Sequence, residues 1–151
     1  MGYSTFMENG YKPSKFDLLK FEIESAGRKE PVYIVVTEAN NNSLETISEY
    51  LQKVITIKPR AIHQVNGTID IIIKGEEEAK KAALELHKQT NQYIGVVKYE
   101  GQNMGKLYLD MKEAIQVAEE KRMPYFFYDP KIDSLQAKLE ARLKATEKKS
   151  E

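Results

Sequence analysis

The chain has no cysteine, no tryptophan, only two histidines and no excess of either charge. Without cysteine there is no disulfide, no thiolate metal site and no cysteine nucleophile, and a reducing compartment is compatible with the composition. The two histidines, His63 and His87, leave little material for imidazole chemistry and do not form a two-histidine metal pair on one helical face. Lys plus Arg and Asp plus Glu number 23 each, so no global field gathers polyanions, and nucleic-acid binding would need a local basic patch. No apolar run approaches the ~20 residues that cross a bilayer, and the polar start Met1-Gly2-Tyr3-Ser4-Thr5 lacks the pattern of a signal peptide. A cytoplasmic protein without membrane contact is expected.

What is present suits one ordinary core. The chain has 151 residues, 41% hydrophobic and 30% charged, which is a globular composition. Residues 1–15 scatter Tyr3, Phe6 and Tyr11 among Gly2, Gly10 and Pro13 without a period, and read as an extended N-terminal arm. Residues 16–130 read as a single α+β domain, and 131–151 as a charged C-terminal helix or tail.

Within the domain, Leu19, Phe21 and Ile23 alternate with Lys20, Glu22 and Glu24, the period of a half-buried strand, with a helix as the second choice. Val32 to Val36 is apolar on both faces and reads as the central strand. Asn42 with Glu45 has capping-box spacing, and Leu44, Ile47, Leu51, Val54 and Ile55 continue at helical spacing until Pro59. Asn66-Gly67 between Ala61–Val65 and Thr68–Lys74 is a type I′ hairpin signal. Gly75 then opens a helix whose Glu76, Glu77 and Glu78 oppose the positive end of its dipole, with Ala79, Ala82, Ala83 and Leu86 inward.

Tyr93 to Tyr99 reads as a further strand, joined by Gly101-Gln102-Asn103-Met104-Gly105 to Lys106–Leu109 as a second hairpin. Asp110 with Glu113 marks a helix start, Pro124 closes that helix, and Tyr125-Phe126-Phe127-Tyr128 reads as a last strand with two rings buried and two exposed. The sum is an antiparallel or mixed sheet of five to six strands, covered mainly on one face by helices near 43–57, 76–90 and 111–122.

The order strand, helix, strand, strand, helix, strand over residues 31–99 is the split βαβ pattern of ferredoxin-like domains. Within that pattern, Val32-Tyr33-Ile34 and Gly67 to Leu86 resemble an RNA-recognition motif over less than half of the chain. That family stacks bases on third-strand rings, whereas Asn66-Gly67-Thr68-Ile69-Asp70 has no ring here, so the resemblance carries topology alone. Asp70-Ile71-Ile72-Ile73-Lys74 likewise has Ile72 where a nuclease strand needs a second acid.

No catalytic or metal constellation stands out, and no cofactor is implied. His87 reads as a helix-terminal cap and His63 as solvent-facing. The expected function is a non-catalytic binding or assembly protein acting through a protein partner or as a homo-oligomer. Its contact residues would be Tyr125 and Phe127 together with Leu135, Leu139 and Leu143, which recur at helical spacing in the charged tail. One alternative is a nucleic-acid or nucleotide-binding module that uses Tyr33, Tyr93, Tyr99 and Tyr108 on an open sheet face. The other is a hydrolase in which Asp70 meets Glu100, Asp110 or Asp129.

Overall fold

The structure, a computed structural model, describes residues 15–27, 31–40, 42–54, 59, 61–65 and 67–150, so the arm expected at 1–15 lies almost wholly outside the described residues. These residues form an α+β arrangement of one five-stranded mixed sheet and five helices. In chain order the elements are α1 (Lys15–Gly27), β1 (Val32–Glu38), α2 (Leu44–Gln52), β2 (Ala61–Val65), β3 (Thr68–Lys74), α3 (Glu76–Thr90), β4 (Ile94–Lys98), α4 (Met104–Glu120), β5 (Tyr125–Tyr128) and α5 (Leu135–Ser150).

The strand order is β2-β3-β1-β4-β5. β1 pairs antiparallel with both neighbours, Val35 facing Ile71 on β3 and Val96 on β4, which is why Val32 to Val36 must be apolar on both sides. β2 and β3 form the hairpin, with Gly67 at φ +84, a conformation that glycine enters without steric cost. β5 lies parallel to β4, and a parallel neighbour requires a crossover, here α4.

Helices cover both faces of the sheet, which corrects the expectation that they would lie mainly on one. α2 and α3 cover one face, where Ile47, Leu51, Ala79, Ala82, Ala83 and Leu86 pack on Val35, Ile69, Ile71, Ile73, Ile94 and Val96. α1 and α4 cover the other, where Leu19, Ile23, Leu107, Met111 and Ala114 pack on Ile34, Val36, Ile72 and Val97. The alanines of α3 let its axis approach the strands closely.

Three local readings change. Residues 16–24 are helical, not extended, because Leu19, Ile23 and Ala26 recur at i, i+4 and i+7 and all three are buried, while Phe21 is 68% exposed. Residues 106–109 belong to α4, so there is no second hairpin there. The Asn103 side chain accepts a hydrogen bond from the Lys106 N–H at 2.9 Å and starts the helix, leaving Asp110 and Glu113 inside it. The cap of α2 is Ser43, which accepts from the Thr46 N–H at 3.1 Å, while the Asn42 amide donates to Gln92 Oε1 at 3.0 Å.

Candidate functional site

α4 turns Met104, Leu107, Met111, Ala114 and Ala118 inward, and the same 3.6-residue period points Leu109 outward, where it is 68% exposed. After β5 a tight turn reverses the chain. The Asp133 carboxylate accepts from the Asp129 N–H at 2.9 Å and the Asp129 carboxylate from the Lys131 N–H at 2.9 Å. The Ser134 carbonyl accepts from the Lys138 N–H, and α5 follows.

Glu113 holds this corner together. One of its oxygens accepts from the Tyr128 hydroxyl at 3.1 Å, and the other meets Lys138 Nζ of α5 at 3.4 Å. Beside it Asp110, 3% exposed, accepts from Gln102 Nε2 at 3.3 Å and pairs with Lys106 Nζ at 3.5 Å. Burial first, then the carboxylates of Asp110 and Glu113, raise the Tyr128 phenol well above its ordinary range, so it remains a donor throughout the neutral range.

Above that polar floor lies a groove of about 650 Å³ between α4 and the start of α5, lined by Leu109, Lys106, Lys112, Gln116, Ser134 and Leu139 among others. Its apolar walls, Leu109 and Leu139, come from different helices. Leu143 extends the wall one turn further along α5 and is 65% exposed. The lining carries two lysines, Lys106 and Lys112, and two acids, Asp110 and Glu113, with Asp110 paired to Lys106 and Glu113 to Lys138 of α5. Chemically, the groove offers apolar contact with a margin of paired charges.

The expected contact residues do not share one surface. Leu139 and Leu143 lie on α5, and the Leu135 side chain falls outside the described residues. Tyr125 and Phe127 are half-buried on the α2–α3 face, the Phe127 ring 5.8 Å from Tyr33 and 5.2 Å from Lys80 Nζ. Phe126 and Tyr128 point to the opposite face, and of the four rings Tyr128 alone is fully buried.

The four tyrosines separate as well. Tyr33 is buried on the α2–α3 face, and burial raises its phenol. Tyr93 lies against the His87 ring at 5.8 Å, while Tyr99 and Tyr108 pack at the α1–α4 face, the latter under Lys112 Nζ at 5.1 Å. With helices on both faces, these rings form no shared open platform.

The acids stand in separate settings. Glu100 pairs with Lys98 at 2.8 Å and Lys131 at 3.7 Å, and the Lys98 contact lowers its carboxyl. Asp110 and Asp129 are bonded as above. Asp70 is fully buried on β3, accepts from the Thr68 hydroxyl at 3.0 Å, and has its second oxygen unpartnered. Burial pushes its carboxyl up to about 7 against the smaller pull of Thr68. Among the described residues no three metal-ligating groups converge.

His63 is not solvent-facing. It is half-buried opposite Asp70 in the β2–β3 ladder, its Nε2 is buried without a partner, and burial lowers its basicity against the opposing influence of Glu22. His87 Nδ1 donates to the Gln92 carbonyl at 2.7 Å, fastening the loop behind α3.

Leu109 is the groove residue that sequence reading missed. The signal was there in Asn103 followed by Met104, Leu107, Met111 and Ala114, but the two glycines of the same stretch pointed to a hairpin. No described helix is long and apolar enough to cross a membrane. Comparison with protein-family models, with curated proteins and with solved structures finds no match.

Proposed function

We propose that this chain is a non-catalytic contact protein that works through protein binding or self-association, with the α4–α5 groove as its contact surface. The observation that carries the reading is the convergence of Leu109 and Leu139, 68% and 49% exposed, across one groove from two different helices. Single exposed leucines are ordinary on a protein surface, but two that line one groove within a rim of paired charges, with Leu143 continuing the stripe, have the apolar centre and polar margin of an interface.

Over β1 to β4 the chain runs strand, helix, strand, strand, helix, strand, with β1 between two antiparallel partners, which supports a ferredoxin-like split βαβ core. On that reading the core is scaffold, and α1, α4, β5 and α5 are additions to it. The proposed contact surface is built entirely from the additions.

Hydrogen exchange of the full chain at increasing protein concentration tests the self-association reading. Slower exchange in α5 and the outer side of α4 at high concentration is expected, with the sheet unchanged. Rates that stay constant in both helices across the range would overturn it.

A further inference from the structure

Two buried polar atoms face each other on the sheet beneath α1, away from the groove. His63 of β2 and Asp70 of β3 stand directly opposite in the antiparallel ladder, which sets their Cβ atoms about 4.5–5.5 Å apart on one face. His63 Nε2 and Asp70 Oδ2 are both buried, and neither has a hydrogen-bond partner. A protonated carboxyl donates and a neutral imidazole nitrogen accepts, so one proton satisfies both atoms once the side chains rotate together. Burial raises the carboxyl and lowers the basicity of the imidazole, which keeps that proton on Asp70 up to neutral pH.

α1 is the cover. It lies over β2 and β1, and β3 runs between those two strands. Leu19, Ile23 and Ala26 are its buried contacts. Of its described charged side chains, Asp17, Lys20 and Glu24 are exposed, whereas Glu22 is half-buried and acts on His63. On β1, apolar Val36 stands opposite Asp70. Glu38 of β1, with Lys112 and Glu119 of α4, lines a cleft of about 380 Å³ beside Thr68, whose hydroxyl is bonded to Asp70.

We propose that His63 and Asp70 form a proton-controlled latch for α1. With one proton between them the pair is neutral and α1 stays docked. Release of that proton to solvent leaves a negative charge beneath α1, in the field of Glu22, and lifting the helix lets water reach it. A second proton makes the pair positive instead, and Glu22 then attracts it. α1 therefore opens more readily on the alkaline side of neutrality than on the acidic side. One proton is linked to the opening, so the open fraction rises up to about tenfold per pH unit while Asp70 ionises.

Two readouts on the full chain test the latch in wild type, Asp70→Asn and Glu22→Gln, with melting curves to verify folding. The first is proton NMR of the His63 ring, assigned by comparison with His87→Gln, since the chain has two histidines. Its pH titration should show two inflections in wild type, the upper one from Asp70, and a single one in Asp70→Asn. The second is hydrogen exchange from about pH 5 to about pH 9, corrected for the intrinsic rate. α1 should be less protected than β1 and β3 throughout, and in wild type it should lose up to about tenfold of its protection per pH unit through neutrality. That loss should be absent in Asp70→Asn and smaller in Glu22→Gln.

A single His63 inflection, unchanged by Asp70→Asn, would overturn the pair and the latch together. Two inflections with α1 as protected as β1 and β3 would overturn the latch while the pair stands, and so would a wild-type pH dependence retained in Asp70→Asn. Glu22→Gln keeps the question decidable where Asp70→Asn does not fold, because α1 exchange identical to wild type in that variant also removes the latch.

Discussion

The two faces of the sheet solve the same burial problem with different materials. Beneath α2 and α3 the layer is isoleucine and valine on the strands against alanine and leucine on α3, and its buried Thr37 is partnered, the hydroxyl donating to Gln92 Oε1 at 3.2 Å. Beneath α1 and α4 the layer also contains Thr68, Asp70 and half-buried His63, with one buried polar atom unpartnered on each of the last two. On the first face the buried hydroxyl is satisfied and area dominates, whereas on the second some stability is returned as the cost of drying polar atoms that find no partner. Asp70 and Ile71 are adjacent in sequence and point to opposite faces, so they isolate the difference within one strand.

Ile71→Ala should give the largest effect. Its side chain is fully buried on the dry face, and truncation removes transfer free energy and leaves a cavity, a loss of roughly 2–5 kcal/mol in denaturant unfolding at any pH near neutral. Asp70→Asn should move the other way, and only above a definite pH. The Asp70 carboxyl is held near 7 in the folded chain against an ordinary value of 3.8, so between those values the folded state keeps a proton that the unfolded state has released. Stability therefore falls as pH rises from about 4 to about 7 and stays reduced above it. At pH 8 the asparagine variant should be the more stable by up to roughly 4 kcal/mol, and the gain should vanish near pH 4. His63 contributes in the opposite direction, since its lowered basicity costs stability as pH falls below its ordinary range, with Glu22 offsetting part of that cost. A gain for Asp70→Asn that is equal at pH 4 and pH 8 would remove burial of an ionisable group as the distinguishing feature of this face.

The same division separates what was readable in the sequence from what was not. β1, the β2–β3 hairpin, α2 and α3 carry strong local signals: a run apolar on both sides, Gly67 at a positive φ, and alanines at helical spacing behind a glutamate-rich first turn. Together they account for the dry face. The other face was misread at both of its helices, for one reason. Leu19 and Ile23 are four apart, and exposed Phe21 between them imitates the alternation of a strand; at 101–105 two glycines imitate a hairpin in front of a capped helix. In each case a residue outside the buried set made the period ambiguous, and tertiary burial decided it. The contact surface was half readable for the same reason. Leu139 and Leu143 recur on a charged helix, but Leu109 belongs to the site only once 104–120 is helical.

A pair of glycines offers the finest test of how the two layers are built, because the layers place their small residues differently. On the dry face the close approach is made by alanines of the helix. On the other face Gly95 of β4 makes it, and a Cβ there would lie 2.8 Å from Ala114 Cβ, 3.0 Å from Val36 Cγ1 and 3.3 Å from the Ile115 backbone nitrogen. Those neighbours belong to α4 and β1, so either the helix is pushed off the sheet or the core rotamers shift. Gly95→Ala should therefore lose roughly 1–3 kcal/mol, read as a lower denaturant midpoint with an unchanged slope. Gly105, in the first turn of the same α4, is exposed, and an added methyl would meet only Asn103 Oδ1 at 3.4 Å. Gly105→Ala lowers the entropy of the unfolded chain and should gain roughly 0.5–1 kcal/mol. Two identical chemical changes on one helix–strand unit thus carry opposite signs. If Gly95→Ala is as well tolerated as Gly105→Ala, α4 does not press on β4, and the polar face is looser than its burial implies.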